Sequence, residues 1–210
     1  MGPLLVVYST RGGHAGRIAE RVVDRIRTLG HEAQLQDVRT EALPPLERYS
    51  AVVIVASVHL GRHARVLASF VRARRAELQR VPTLFLSVSV TEAAAVDPHR
   101  PDDERLEARR AVGKVLEEFV RETEWSPEHM VPIAGALSET SHGPVIGLLV
   151  RILGLSDAPA YEIVFTDWSA LNRVVDGLVR EAVARSRSAP PETPDSSVFR
   201  SAVEGAVLAP

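Results

Sequence analysis

The stretch Val7–Glu20, VYSTRGGHAGRIAE, joins an apolar run to a helical one. Before it, Leu4 to Tyr8 is short and continuously apolar, the pattern of a strand buried on both faces. After it, Ile18, Val22, Ile26 and Leu29 recur at helical spacing, and Gly30 supplies a stop. The junction is a strand-to-helix turn made of Ser9, Thr10, Arg11, Gly12, Gly13, His14 and Ala15. The first N–H groups of a helix lack intrahelical partners, and the helix dipole adds partial positive charge beside them. Small hydroxyls and glycines at such a turn suit an anion. The turn has neither G-x-G-x-x-G nor the lysine of G-x-x-x-x-G-K, so it matches neither a dinucleotide nor a P-loop site. A terminal phosphate monoester fits, held by the Ser9 and Thr10 hydroxyls and backbone N–H groups, with Arg11 adding charge. A plain turn in which Ser or Thr caps the helix is the alternative.

Working outward, strands are expected at Glu32 to Val38, Ala51 to Ala56, Thr83 to Val90 and Val131 to Leu137. Helices are expected at Ala64 to Leu78, Glu104 to Glu122 and Asp167 to Ala184. Leu43 to Tyr49, with Pro44 and Pro45, reads as a connection, and Thr91 to Asp103, with Pro98 and Pro101, as a long loop. Tyr161 to Phe165 is a further apolar run. Strands alternating with helices imply parallel pairing through right-handed crossovers. The expected fold is α/β, a flavodoxin-like three-layer sandwich around a five-stranded parallel sheet of order 2-1-3-4-5. In that order ligands bind at the carboxyl ends of the first, third and fourth strands. Residues 1–184 form one domain, with an insert at 138–160. Residues 185–210, rich in Ser and Pro, read as a mobile C-terminal extension in which SVFRSAVEGAVL has the makings of a short docking helix.

Bulk composition excludes several functions. A net charge of −2 gives no electrostatic case for nucleic acid. The absence of cysteine removes disulfides and cysteine-ligated zinc or iron–sulfur centres. The N-terminus MGPLLVVYSTRG lacks the charged start and long apolar stretch of a signal peptide, so the protein is expected in the cytoplasm. His59 and His63 lie four apart, but no third protein ligand accompanies them, so no metal site is expected. His31, His99 and His129 read as surface residues.

The other strand ends carry the site reading further. Ser57, Val58, His59, Leu60 and Gly61 follow the third strand, and Ser87, Val88, Ser89, Val90 and Thr91 end the fourth. Both segments lie beside the first turn in a 2-1-3-4-5 sheet. Three such loops can hold a phosphate, a ribityl chain and a flat ring, which argues for FMN.

Four pieces carry a family resemblance. They are the S-T-x-x-G turn, the A-S-V-H-L-G segment, Trp125-Ser126-Pro127 followed by Ala134-Gly135-Ala136-Leu137, and Tyr161 to Trp168 with T-D-W opening the last helix. Together they resemble the menaquinone-dependent protoporphyrinogen dehydrogenase family of bacterial haem biosynthesis, over roughly Leu4 to Ala184. The resemblance implies an FMN flavoprotein at the inner face of the cell membrane, with porphyrinogen-like electron donors and a quinone acceptor. It assigns Ser9, Thr10, Gly13, His14 and Ala15 to the phosphate loop. It places 57–61 and 87–91 on either side of the flavin ring.

The sequence departs from that pattern in places. Ala15 stands where flavodoxin-like turns usually end in Thr or Ser, removing one hydroxyl. His59 and Leu60 stand where Trp or Tyr often stacks on the flavin. Trp125 and Trp168 are expected to pack in the core. Thr166-Asp167-Trp168 is expected to be structural and away from the flavin. In the insert, Pro144 to Leu155 carries only Arg151 as a charge. It suits a membrane interface, a pocket cover or a homodimer contact, with an ordinary buried helix as the alternative. Two other functions stay open: a flavodoxin-like electron carrier, and a flavodoxin-fold module that has lost FMN.

Overall fold

The computed structural model describes residues 1–10, 13–39, 45–138, 162–164 and 166–188. The expectations for Arg11, Gly12, most of the 138–160 insert and the tail from 189 onward lie outside the described residues.

Five parallel strands make the sheet: β1 (Leu4–Ser9), β2 (Ala33–Asp37), β3 (Ala51–His59), β5 (Thr83–Ser89) and β6 (His129–Ala134), in the order β2-β1-β3-β5-β6. Counting parallel strands alone, this is the expected 2-1-3-4-5. A two-residue strand β4 (Arg62–His63) folds back antiparallel on β3. The helices are α1 (His14–Thr28), α2 (Arg65–Ala73), α3 (Arg75–Leu78), α4 (Val90–Val96), α5 (Asp102–Thr123) and α6 (Trp168–Ser188).

Alternation along β1 divides the core into two layers. Leu4 and Val6 pack with Ile18, Val22 and Ile26 of α1 and Leu171, Val175 and Leu178 of α6. Leu5 and Val7 face the other way, toward Leu67 and Val71 of α2 and Phe119 of α5. Each such buried aliphatic side chain contributes about 1.5–3 kcal/mol. Arg25 clamps Asp176 with two bonds of 2.7 Å, tying α1 to α6. That pairing holds the Asp176 carboxyl below its ordinary range.

Three sequence expectations are corrected. The segment from Thr91 is not all loop, because α4 covers Val90–Val96. Ser89 caps it, accepting from the Glu92 N–H at 3.1 Å, and three alanines follow. Ser89-x-x-Glu92 is a capping-box signature overlooked in the sequence because Pro98 and Pro101 drew the reading toward loop. The expected single helix 64–78 is broken at Arg74. The expected strand Val131 to Leu137 is cut at Gly135. There the Gly135 N–H bonds the Ser89 carbonyl at 2.8 Å, and a Cβ would lie 3.2 Å from the Ser89 carbonyl carbon. Beyond that contact β7 (Ala136–Ser138) leaves the sheet and pairs antiparallel with β8 (Glu162–Val164).

Among the described residues no helix is long and apolar enough to cross a membrane, and no cluster of His, Asp and Glu could hold a metal ion.

Candidate functional site

At the carboxyl end of β1 the chain turns through Gly13, left-handed at φ 83°, into α1. The Gly13 N–H donates to Thr10 Oγ1 at 3.0 Å, which shapes the turn and leaves the Thr10 proton free to donate elsewhere. The first intrahelical bond runs from the Arg17 N–H to the Gly13 carbonyl. The N–H groups of residues 14–16 therefore have no partner within the helix. No side chain caps α1 and no acidic residue occupies its first turn. An anion is the natural complement to this arrangement.

His14 is not aimed at that space. The Thr166 hydroxyl donates to the Ala134 carbonyl at 2.7 Å, so it accepts from His14 Nε2–H at 2.9 Å. His14 Nδ1 then accepts from Arg17 Nη2 at 3.2 Å. This chain fixes a neutral imidazole, and burial, helped by the Arg17 charge, lowers its pKa. The link joins the start of α1 to the Thr166-Asp167-Trp168 segment, which sequence reasoning had placed away from the first turn. Asp167 does cap α6, accepting from the Ser169 and Ala170 N–H groups at 2.9 Å. Trp168 is not a core residue: it is 36% exposed, with its ring 6.4 Å from that of His14. Trp125, by contrast, is fully buried as expected. Ala15 is also buried, packed in the core. Its side chain faces away from the turn's open side, so a hydroxyl there would meet the core rather than a phosphate.

The A-S-V-H-L-G segment is a hairpin rather than a loop. β3 continues to His59 and turns through Leu60 and Gly61 into β4. Both turn residues have positive φ, 50° and 72°, as a type I′ hairpin demands. Gly61 takes this freely. Leu60 is strained and its side chain is 90% exposed. His63 anchors the returning strand. Its ring lies edge-on to Phe85 and Phe119, at 5.3 and 5.0 Å, and its Nε2 meets Ser87 Oγ at 3.3 Å. Burial pushes its pKa down to about 4. Its Nδ1 is shielded from solvent and makes no hydrogen bond of normal geometry, although the Ser57 backbone is near enough to favour the protonated form slightly.

The turn and the hairpin enclose one cavity of about 680 Å3. Of the residues expected in a site, it brings together Ser9, Thr10, Ser57, His59 and Leu60. Sequence reasoning missed Arg39, Arg62, His63, Arg65 and Val66, which share the lining. The residues expected on the ring's second side do not join it. Ser87, Val88 and Ser89 are buried within β5, while Val90 and Thr91 open α4.

The three guanidinium groups differ. Arg39 is bound to Asp37 at 2.5 Å, and this bond holds the Asp37 carboxyl below its usual range. Arg62 is 74% exposed by its side chain and reaches Glu118 only at 3.9 Å. Arg65 forms no ion pair or hydrogen bond among the described residues. It is also the first residue of α2, whose N-cap Ala64 supplies no side-chain bond and whose first turn has no acid. A cation at a helix N-terminus is unfavourable by about 0.3–1 kcal/mol. The wall formed by the hairpin and α2 thus carries two guanidinium groups, of which Arg65 is unmatched among the described residues.

The sequence matches the flavodoxin domain family over residues 5–145. The chain belongs to the flavodoxin domain family. It is 27% identical over 168 residues to the protoporphyrinogen IX dehydrogenase [quinone] of Escherichia coli K12, covering 78% of this chain and 87% of that one. It is 26% identical over 178 residues to the protein of the same name from Leishmania major, covering 80% of this chain and 71% of that one. Among solved structures, a short-chain flavodoxin associated with a PDU bacterial microcompartment superposes with a TM-score of 0.51 at 12% identity. That match covers 87% of this chain and 99% of the other. The flavodoxin of Streptococcus pneumoniae TIGR4 gives 0.50 at 11% identity, covering 86% and 99%. These likenesses support the fold.

FMN is the cofactor that such a domain implies, and the residues present fit it. The uncapped start of α1 and the free Thr10 proton match a phosphate. The cavity volume falls within the roughly 300–1,000 Å3 of small-molecule sites.

Proposed function

We propose that this protein is an FMN-dependent dehydrogenase that takes electrons from a porphyrinogen-like donor and passes them to a quinone such as menaquinone, as a step of haem biosynthesis. The observation that supports it most is the convergence of the uncapped β1–α1 turn and the arginine-bearing hairpin on one cavity. The relatives named as quinone-linked protoporphyrinogen dehydrogenases supply the donor and acceptor classes.

When bound, FMN would supply the two-electron redox chemistry between donor and quinone. The chain's part is to hold and orient. Thr10, Gly13 and the first N–H groups of α1 hold the phosphate. Ser9 and Ser57, on adjacent strand ends, line the floor beside it. The His14–Thr166 bond ties the start of α1 to the carboxyl end of β6, which steadies the turn. The hairpin, held by His63, closes one side. The apolar segment 144–155 is our candidate for contact with the inner face of the membrane, where a quinone resides.

The test is anaerobic. The purified protein should release FMN on denaturation, its flavin should be bleached by a porphyrinogen, and its colour should return on addition of a menaquinone analogue. A protein that carries FMN but is not reduced by any porphyrinogen refutes the donor class. One that cannot be loaded with FMN refutes the whole reading.

A further inference from the structure

We propose that Arg62 and Arg65 bind the carboxylates of the electron donor, and that the hairpin carrying them sets donor specificity. This rests on the donor class proposed above and deepens it by naming the residues that select it.

The cavity contains two electropositive walls. The β1–α1 turn accounts for one anion, the cofactor phosphate, using hydroxyl and backbone donors. The second wall is redundant for that purpose. It consists of a guanidinium at the hairpin's return strand, another on the first residue of α2, and an α2 N-terminus that no side chain caps. Arg65 has no partner among the described residues and Arg62 only a distant one. Arg39, which also lines the cavity, is already matched by Asp37. Two guanidinium forks, one unpaired among the described residues and one held only loosely by Glu118, suit planar acids, which they can grip with paired N–H donors.

The same wall carries apolar groups. Leu60 is 90% exposed in a strained backbone conformation, and Val66 is 39% exposed one residue beyond Arg65. Strain at an exposed residue persists where the surroundings impose it, and it clusters at ligand-gripping positions. An apolar contact alternating with two cations describes a ligand with a large apolar ring and acidic side arms. A porphyrinogen with two propionates has that chemistry. The insert does not offer it, since 144–155 contains a single arginine. His63 is the positioning residue of the arrangement. Its contacts with Phe85, Phe119 and Ser87 fix the strand on which Arg62 sits.

The experiment compares the FMN-loaded full chain with an Arg62→Gln, Arg65→Gln double variant. The probes are protoporphyrin IX and its dimethyl ester, followed by quenching of flavin fluorescence, and then the corresponding porphyrinogens in anaerobic reduction. We expect wild type to prefer the diacid to the diester by tenfold or more. The variant should bind both equally, at the diester level, with unchanged FMN content. Loss of FMN from the variant would overturn the proposal, because the arginines would then serve the cofactor. So would a wild type that binds neither probe or does not discriminate, or a variant that keeps the preference. Arginine-dependent diacid binding without flavin reduction would leave this inference standing and sink the donor assignment alone. An Arg62→Lys, Arg65→Lys variant, which keeps charge but loses the fork, should recover part of the preference.

Discussion

The β1–α1 turn and the β3–β4 hairpin border the same cavity from neighbouring strand ends, and they are made differently. The turn offers an anion mostly backbone: a left-handed Gly13, unpartnered N–H groups and the Thr10 hydroxyl. Its His14 side chain is turned away into a hydrogen-bonded chain with Thr166 and Ala134. The hairpin offers side chains, Arg62 from β4 and Leu60 from a strained tip, with Arg65 following at the start of α2. A backbone site fixes the position of a small anion and tolerates sequence change around it. A side-chain site can be retuned by single substitutions. The first suits a constant cofactor and the second a selected substrate.

The largest effect should come from loosening the hairpin. His63→Ala removes a ring packed against Phe85 and Phe119, and unfolding free energy should fall by about 2–3 kcal/mol, less than the roughly 3–5 kcal/mol for a fully buried aromatic. The same residue makes stability depend on pH. Its folded pKa is about 4, against 6.5 for a solvated histidine, so below pH 6.5 the unfolded chain takes up a proton that the folded chain refuses. Its contribution to stability is complete above about pH 6.5 and is lost as pH falls toward 4, by up to about 3 kcal/mol. Urea denaturation of wild type and His63→Phe between pH 7 and 4 checks this. His14, also shifted down by burial, acts with the same sign, so the Phe variant should keep a shallower slope. An identical slope in both proteins would mean that the ring is not held neutral by its packing.

The turn answers to a different substitution. Thr10→Val keeps the shape of the side chain and removes both the donor to the phosphate and the acceptor for the Gly13 N–H. A hydrogen bond to a charged group is worth about 1.5–3 kcal/mol, so FMN should bind roughly ten- to a hundredfold more weakly. Titration of the apoprotein with FMN measures it. The hairpin double variant described above should leave that affinity alone. If Thr10→Val and the arginine variant weaken FMN equally, the division of labour between the two walls is wrong.

The contrast between turn and hairpin also explains what was legible in the sequence. Leu4 to Tyr8 and the 18–22–26–29 stripe revealed β1 and α1 because burial on two layers writes itself as periodicity. The turn itself was legible because glycines and hydroxyls at a strand-to-helix junction suit an anion or a helix cap. The hairpin was not. Type I′ turns usually announce themselves with Asn-Gly or Asp-Gly, and here Leu60 occupies the first position. Arg62 and Arg65 resembled ordinary surface charge, since nothing in a linear pattern shows that two arginines flank one cavity. The roles of the serines at 87–89 in packing and capping were not legible either. Beyond any part they have beside a flavin, Ser87 meets His63 and Ser89 caps α4. Thr166 was placed away from the first turn because strand order alone does not reveal a His14 side chain reaching across the end of β6.

The smallest effect, and the one most specific to the hairpin, concerns Leu60. A leucine in the left-handed region costs roughly 1–2 kcal/mol, whereas asparagine visits that region readily. Leu60 has little packing to lose, because 90% of it is exposed. Leu60→Asn should therefore stabilise the protein by about 0.5 kcal/mol after the change in unfolded-state entropy, a melting rise of roughly 1–2 °C. If the leucine were an accident of the turn, nothing else would change. If it meets the apolar ring of the donor, the more stable variant should bind protoporphyrin more weakly, since apolar contact is worth about 25 cal/mol per Å2 removed from water. Its preference for diacid over diester should persist, because both arginines remain. Stability and ring affinity moving in opposite directions, with acid selectivity unchanged, would separate the apolar part of the wall from its charged part. A variant with higher melting temperature and full porphyrin affinity would show that the tip does not touch the ligand, and would confine recognition to Arg62 and Arg65.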